Sequence, residues 1–472
     1  MAAPKKLDAS ALRDVLGGAG SDRGVFFSLL GFRTGTTSIK AVHVLNDLAQ
    51  HLCGRMPAHG GDLVCRLIRQ HHERADVEGN SDSVLRADTQ LGRVYQRAYP
   101  ESLGPQLISE IRSATDVVLN ADGGVYEPGK QMASSLATNV SLLGREGFRR
   151  FHVGPFLATI LDTRGRTRLK TLFQSDTDPV SRFLRPIICD IPFTPVSQDY
   201  PKYQPTAFDA ALGRRLSQLL AHRLSKPTLL RYFALAASLG IFLKVHGVGR
   251  EAGRPALLAL ASEWQGTRPL RRQAIQSLLR GRDALDDAVA RALAEDARFA
   301  ELLERKTPRD AAVIAIPGGG DVSSQAVAAV QLMRAHQPEK LAGESELYWP
   351  ERFASALARK AGAILPRDNR AGWGQYAALS PEHVEVLALM FTDPGGKSLS
   401  WNALWRAIRD ELGIVVGASP YEDARYLEES SVMHCDLEAL ATNAQQLLEQ
   451  SCRRGVARLL PDSGAEVGGA VA

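Results

Sequence analysis

The chain has 472 residues, too many for one ordinary core and enough for about three domains, and its 44% hydrophobic and 23% charged residues exclude a disordered or fibrous protein. Its net charge of +5 conceals an asymmetry. Residues 202–282 hold fourteen Lys plus Arg against three acids, a local +11, whereas 380–458 hold twelve acids against seven cations, a local −5. One segment attracts polyanions and another repels them, which points to partners rather than to fold.

The N-terminal 18 residues carry no long apolar run, and the longest uncharged apolar stretch, 232–243, is about half of the roughly 20 residues a membrane-spanning helix needs. It reads as a buried helix, with no membrane among the partners. Five scattered cysteines fit a reducing compartment, so the sequence predicts a cytoplasmic protein.

In chain order, Ser38 is positioned to cap a helix with Ile39, Val42, Leu45, Leu48 and Leu52 on its apolar face and Gly54 as its stop. A second apolar helix is expected over 63–72, a polar loop over 77–90, and a strand or short helix entering a Gly/Pro turn over 117–130. Residues 1–147 thus read as a mainly helical domain.

Region 148–200 changes character. In DTRGRTRLKTLF, from Asp162 to Phe173, every second residue from Arg164 to Lys170 is cationic. Period two predicts a strand with Arg164, Arg166, Arg168 and Lys170 on one face and Leu169, Thr171 and Phe173 on the other, the second arm of a β-hairpin turning at 163–165. Such a row is solvated or met by anions, as a charged edge strand or as a nucleic-acid contact. Arg145, Arg149 and Arg150 precede it and favour the second.

After a Pro- and Tyr-rich linker, 197–205, a basic helical domain is expected over 201–345. Its helices would cover 207–224, 227–244, 254–264, 269–280 and 283–306, and 311–336 reads as a strand, a Gly loop and a helix. Arg214, Arg215, Arg271 and Arg272 are its candidate phosphate contacts, because guanidinium groups suit bidentate phosphate binding. The alternative is that these arginines pair with acids of 283–304 or of the C-terminal segment.

Residues 346–472 have the clearest plan. Ser380-Pro381-Glu382 starts one helix, Ser400 caps a second that stops at Gly413, Asp436 caps a third ending near Gly455, and 456–467 forms a small hairpin. Three helices and a wing outline a winged-helix-like module. Its third helix carries Asp436, Glu438 and Glu449, which disfavours entry into a DNA groove and favours protein contact.

No catalytic signature is complete. GFRTGTTSIK has Thr37 where a phosphate loop has lysine, Asp321 after PGGGD would occupy the anion position of its own helix, and Asp122 with Lys130 completes no site. Cys53, His59, Cys65 and His71 lie six apart, a spacing that zinc sites do not use. No catalytic residue, metal or cofactor is expected.

Leu379-Ser380-Pro381, the run from Gly413 to Gly417, Asp436-Leu437 with Asn443, Gly455-Val456 and Leu459 to Ser463 together resemble the end of accessory proteins encoded in bacterial anti-phage operons, those of the methylation-associated defence system. That resemblance implies a bacterial protein working beside a DNA methyltransferase, and it brings no catalytic residues. The expected protein is therefore α+β and predominantly α-helical, a non-catalytic subunit of a DNA-targeting defence complex. It would hold DNA backbone without sequence preference and dock other subunits through its acidic end. A nuclease or nucleotide-dependent effector, and a winged-helix transcription regulator, are the alternatives.

Overall fold

A computed structural model of the chain describes residues 4–17, 24–35, 39–57, 152–175, 193–196, 200, 202–264, 266–305, 313–335, 349–366, 374–395, 398–432, 434–461 and 464–467. The elements expected between 63 and 130, and Ser38, lie outside them. Helices dominate and small mixed sheets join them, so the fold is α+β and mostly helical.

Strand β1 (Lys5–Asp8) leads into α1 (Ala9–Leu16), followed by α2 (Val25–Leu30) and α3 (Ala41–Cys53). α3 stops on Gly54, left-handed at φ 64°, as the sequence predicts. It has almost no solvent face: Val42, Leu45 and Leu48 are buried, and so are His43, Asn46, Asp47 and Gln50. Asp47 Oδ2 accepts from the Gly154 N–H at 2.7 Å, tying α3 to the next described helix.

β2 (Arg55–Pro57) precedes α4 (Val153–Ile160) and α5 (Thr163–Gln174), and β3 (Phe193–Pro195) pairs antiparallel with β2. The β-hairpin expected around 163–165 is not formed; both of its arms are helices. Asp162 caps α5, its Oδ1 accepting the Gly165 N–H at 2.6 Å, and the buried residues are Gly165, Leu169, Leu172 and Phe173. That i, i+4, i+7, i+8 stripe is a helical period, completed by a glycine that an apolar count overlooks. Gly165 matters because it faces Ser217, whose Oγ would lie 2.7 Å from a Cβ at that position.

α6 (Ala207–Ala221) and α7 (Lys226–Gly247) begin on Thr206 and Ser225 caps. α7 is long and apolar enough to cross a membrane by length and composition, but 78% of its apolar window is buried within the fold. Its charged members are accounted for internally. Lys244 Nζ donates to both Asp209 carboxylate oxygens at 2.7 and 2.9 Å, and Asp209 Oδ2 also accepts from the Tyr203 hydroxyl at 2.6 Å. Burial lowers the Lys244 pKa against the pull of Asp209.

Next comes β4 (Leu257–Ala261), then α8 (Arg268–Glu295), α9 (Ala297–Glu304), β5 (Val313–Ile316), α10 (Val322–Ala335) and α11 (Pro350–Lys360). β5 returns to pair antiparallel with β1. A helix was expected over 254–264, where alanine and leucine favour one; the strand forms because both of its faces are covered. Leu257, Ala259 and Ala261 join the large core, while Leu258 and Leu260 join a second, smaller one. A strand buried on both sides reads as a continuous apolar run and loses its alternation. The helices expected over 269–280 and 283–306 are α8, unbroken through Gly281, and α9.

The remaining elements are β6 (Ile364–Leu365), β7 (Tyr376–Leu379), α12 (Pro381–Phe391), β8 (Leu399–Ser400), α13 (Trp401–Leu412), β9 (Ile414–Val415), α14 (Pro420–Glu429), α15 (Leu437–Arg453), β10 (Ala457–Leu459) and β11 (Ala465–Val467). Ser380, Ser400 and Asp436 cap α12, α13 and α15 as expected, and Gly413 stops α13 at φ 71°. A Cβ at Gly413 would also collide with the Pro255 carbonyl. The hairpin β10–β11 extends to β8, giving the order β10-β11-β8. α14 is an addition the sequence reading did not contain.

A four-stranded sheet, ordered β6-β7-β4-β9, has β4 parallel to both β7 and β9. The buried Asn443 of α15 donates to Ala259 O and Val416 O at 3.0 and 2.8 Å and accepts from the Ala261 N–H at 2.9 Å, bolting α15 to β4 and to the residue that follows β9. The C-terminal helices are therefore built around a strand contributed by residues 257–261.

Candidate nucleic-acid interface

The four cations of DTRGRTRLKTLF do not form one row. On a helix, residues two apart are about 200° apart, so the series splits into Arg164 with Arg168 on one flank of the buried stripe and Arg166 with Lys170 on the other. The outward pole is Thr163, Thr167, Thr171 and Gln174, all exposed. Gly165 faces Ser217 of α6, and the Asp162 N–H donates to Ser217 Oγ at 3.3 Å, so the Arg164/Arg168 flank adjoins α6. Lys170 lies toward α3, where its charge reaches Cys53. Arg166 is half-buried and turns back to the Ala158 carbonyl at 3.2 Å. Arg164, Arg168 and Lys170 are exposed, and among the described residues none of the three has a carboxylate partner.

The arginines of α6 behave oppositely. Glu411 of α13 receives Arg215 through both carboxylate oxygens, a fork that also spans the Phe391 ring at 4.1 Å, and Arg214 Nη2 lies 3.3 Å from the same carboxylate. Burial raises the Glu411 pKa, but its hydrogen bonds and charge contacts with Arg215 and then Arg214 outweigh this and leave it below the ordinary glutamate value. Gln218 Nε2 donates to Asp393 at 3.0 Å, and the His222 ring contacts the Leu389 and Thr392 carbonyls at 2.9 and 3.0 Å. Arg231 of α7 pairs with Glu382 of α12 at 2.7 Å. Arg214, Arg215 and Arg231 of the basic segment are thus met by carboxylates of the acidic end within the molecule, the alternative the sequence had left open.

Arg271 and Arg272 stand elsewhere, in the first turns of α8. The Arg271 guanidinium lies 5.8 Å from the Tyr376 ring centre, and Arg272 is exposed with no ion-pair partner among the described residues. No described contact joins them to α5. The eight sequence-predicted residues therefore fall into an open set of three on α5, with Arg166 turned back beside it, a committed pair on α6 and a separate pair on α8.

Among the described residues no group of three His, Cys, Asp or Glu side chains is arranged to hold a metal. Cys53 closes α3, its thiol pushed up to about 11 by burial, against the lowering charges of Arg55 and Lys170. His59, Cys65, His71, Thr37, Asp122 and Lys130 lie outside the described residues. Asp321 does occupy the anion position of its own helix, accepting the Ser324 N–H at 2.8 Å. No protein-family model matches this sequence, and no curated protein is significantly similar to it.

Proposed function

We propose that this protein is a non-enzymatic, nucleic-acid-associated adaptor, the role implied by its resemblance to accessory proteins of methylation-associated defence. The observation that carries this reading is the set of exposed, carboxylate-free cations on α5, Arg164, Arg168 and Lys170, beside an α6 whose charges are already satisfied. These side chains suit phosphate backbone contact without base readout. Arg215 leaves the proposed set, because its guanidinium is held by Glu411.

Helices α12, α13 and α15 with the β10-β11-β8 sheet support a winged-helix-like module. Its third helix, α15, presents Glu438, Ala441, Thr442 and Gln445 to solvent. An uncharged to acidic stripe of this kind fits a protein surface better than a DNA groove, so the module is assigned to partner subunits. Fluorescence-anisotropy titration of a mixed-sequence duplex tests the reading. Binding that weakens steeply with salt and shows no preference among duplexes is expected; salt-independent binding, or cleavage of the duplex with divalent metal, rules it out.

A further inference from the structure

Between α7 and β4 the chain reads GVGREAGRP, residues 247–255, a glycine-rich connection that no motif in the sequence analysis absorbed. Gly249, left-handed at φ 83°, lies so close to α8 that a Cβ would collide with the Ala284 carbonyl. The loop is pinned from the other side as well. Arg254 donates to the Asp410 carbonyl at the end of α13, and the Tyr426 hydroxyl of α14 donates to the Pro255 carbonyl at 3.0 Å. Arg280 of α8 reaches across to the Ser431 carbonyl at 3.2 Å. Two segments therefore bring guanidinium groups together, the loop with Arg250 and Arg254 and α8 with Arg280, one turn before the Ala284 carbonyl on which Gly249 packs, while α14 sets Tyr426 against the loop.

These cations are poorly neutralised. The Nε atoms of Arg250, Arg254 and Arg282 are inaccessible and have no hydrogen-bond partner, and the Arg250 side chain has neither hydrogen bond nor ion pair among the described residues. The nearby carboxylates are few: Asp283, 3.9 Å from Arg280 and 52% exposed; Asp410, bonded to Arg409; and the exposed Glu251. His246, buried where a Cβ on Gly281 would lie 2.7 Å from its Nδ1, is lowered to about 3 by burial and then by Arg250 and Arg282, so it adds no charge of either sign. Burial lowers the Arg250 pKa, opposed by Tyr426 and Asp283 and reinforced by Arg280. A half-buried arginine among like charges is costly unless an anion meets it.

We propose that Arg250 and Arg254 of this loop, with Arg280 of α8 on one side and Tyr426 of α14 on the other, form a binding site for the oligophosphate group of a small ligand. Forked guanidinium donors arriving from several directions match the oxygens of a diphosphate, and the tyrosine ring supplies an edge for the rest of the ligand. A small ligand is favoured over duplex backbone because Arg250 is half-buried between a helix and a loop, where a stiff duplex reaches only outward heads. The inference stands apart from the DNA reading, since no described contact links this site to α5.

The test is a thermal-shift titration of the full chain with sodium pyrophosphate against sodium chloride at matched ionic strength. The parent should show a saturable rise in Tm. Arg250→Gln and Arg280→Gln should each raise the pyrophosphate midpoint at least tenfold, whereas Arg291→Gln, an exposed arginine farther along α8, should leave it unchanged. Arg280→Gln keeps the test decisive if Arg250→Gln folds poorly, because the Arg280 side chain is 47% exposed. The site is refuted by the absence of a saturable shift, by equal midpoints in parent and both variants, or by an Arg250-dependent response to duplex DNA with none to pyrophosphate.

Discussion

Two neighbouring helices, α5 and α6, are both rich in arginine, yet they use that charge differently. Arg164, Arg168 and Lys170 of α5 flank a narrow apolar stripe and end in solvent. On α6, Arg214 and Arg215 reach Glu411, and Asp209 is buried against Lys244. In sequence both read as phosphate contacts. What separates them is whether a carboxylate from 170 to 200 residues away is folded onto the helix, and no local count records that.

The comparison can be broken most forcefully at the buried pair. Lys244→Ala leaves the Asp209 carboxylate, fully buried, with one cation fewer and should cost about 3–5 kcal/mol in urea unfolding. A cost below about 1 kcal/mol would mean that α6 is not held by its charges.

Glu411→Ala should cost less, about 1–3 kcal/mol, by leaving the mostly buried Arg215 with the Gln218 side-chain oxygen but no carboxylate to accept from it. The same variant sharpens the contrast: freeing Arg214 and Arg215 beside the α5 flank should strengthen duplex binding at low salt. The pH dependence has a definite sign. Because the folded-state pKa of Glu411 is depressed, its contribution is present above the unfolded-state glutamate value and is lost as pH falls through the folded-state value. The parent should be the more stable near neutrality, where the two share the same pH slope, and should lose that advantage over Glu411→Gln across the acid window, which urea midpoints at stepped pH would check.

The smallest effect is expected where solvent already surrounds the charge. Replacing Arg164, Arg168 and Lys170 by glutamine should change unfolding free energy by less than about 0.5 kcal/mol per site. A larger loss would show that α5 uses these side chains for packing.

Legibility from sequence followed the range of the forces involved. The C-terminal caps were readable because Ser380, Ser400, Asp436 and Gly413 act within one turn of their own helices. The strand, Gly loop and helix at β5 and α10 were readable for the same reason. β4 was not, since Leu257–Ala261 becomes a strand only when β7 and β9 flank it and helices cover both faces. α5 misled through its charges: alternate cations mimic a strand face, while the decisive signals were Asp162 at the cap and Gly165 in the buried stripe. The committed state of Arg215, and the anchoring of the 250–254 loop through Arg254 and Pro255, depended on α13 and α14 and could not be read from the basic segment alone.

The most direct test of the account is the slope of log affinity against log salt for duplex DNA, measured for the parent and for the variant with glutamine at 164, 168 and 170. A slope shallower by about three in the variant is predicted, roughly one for each phosphate contact removed. Identical slopes would contradict the assignment of α5 as the surface that meets nucleic acid.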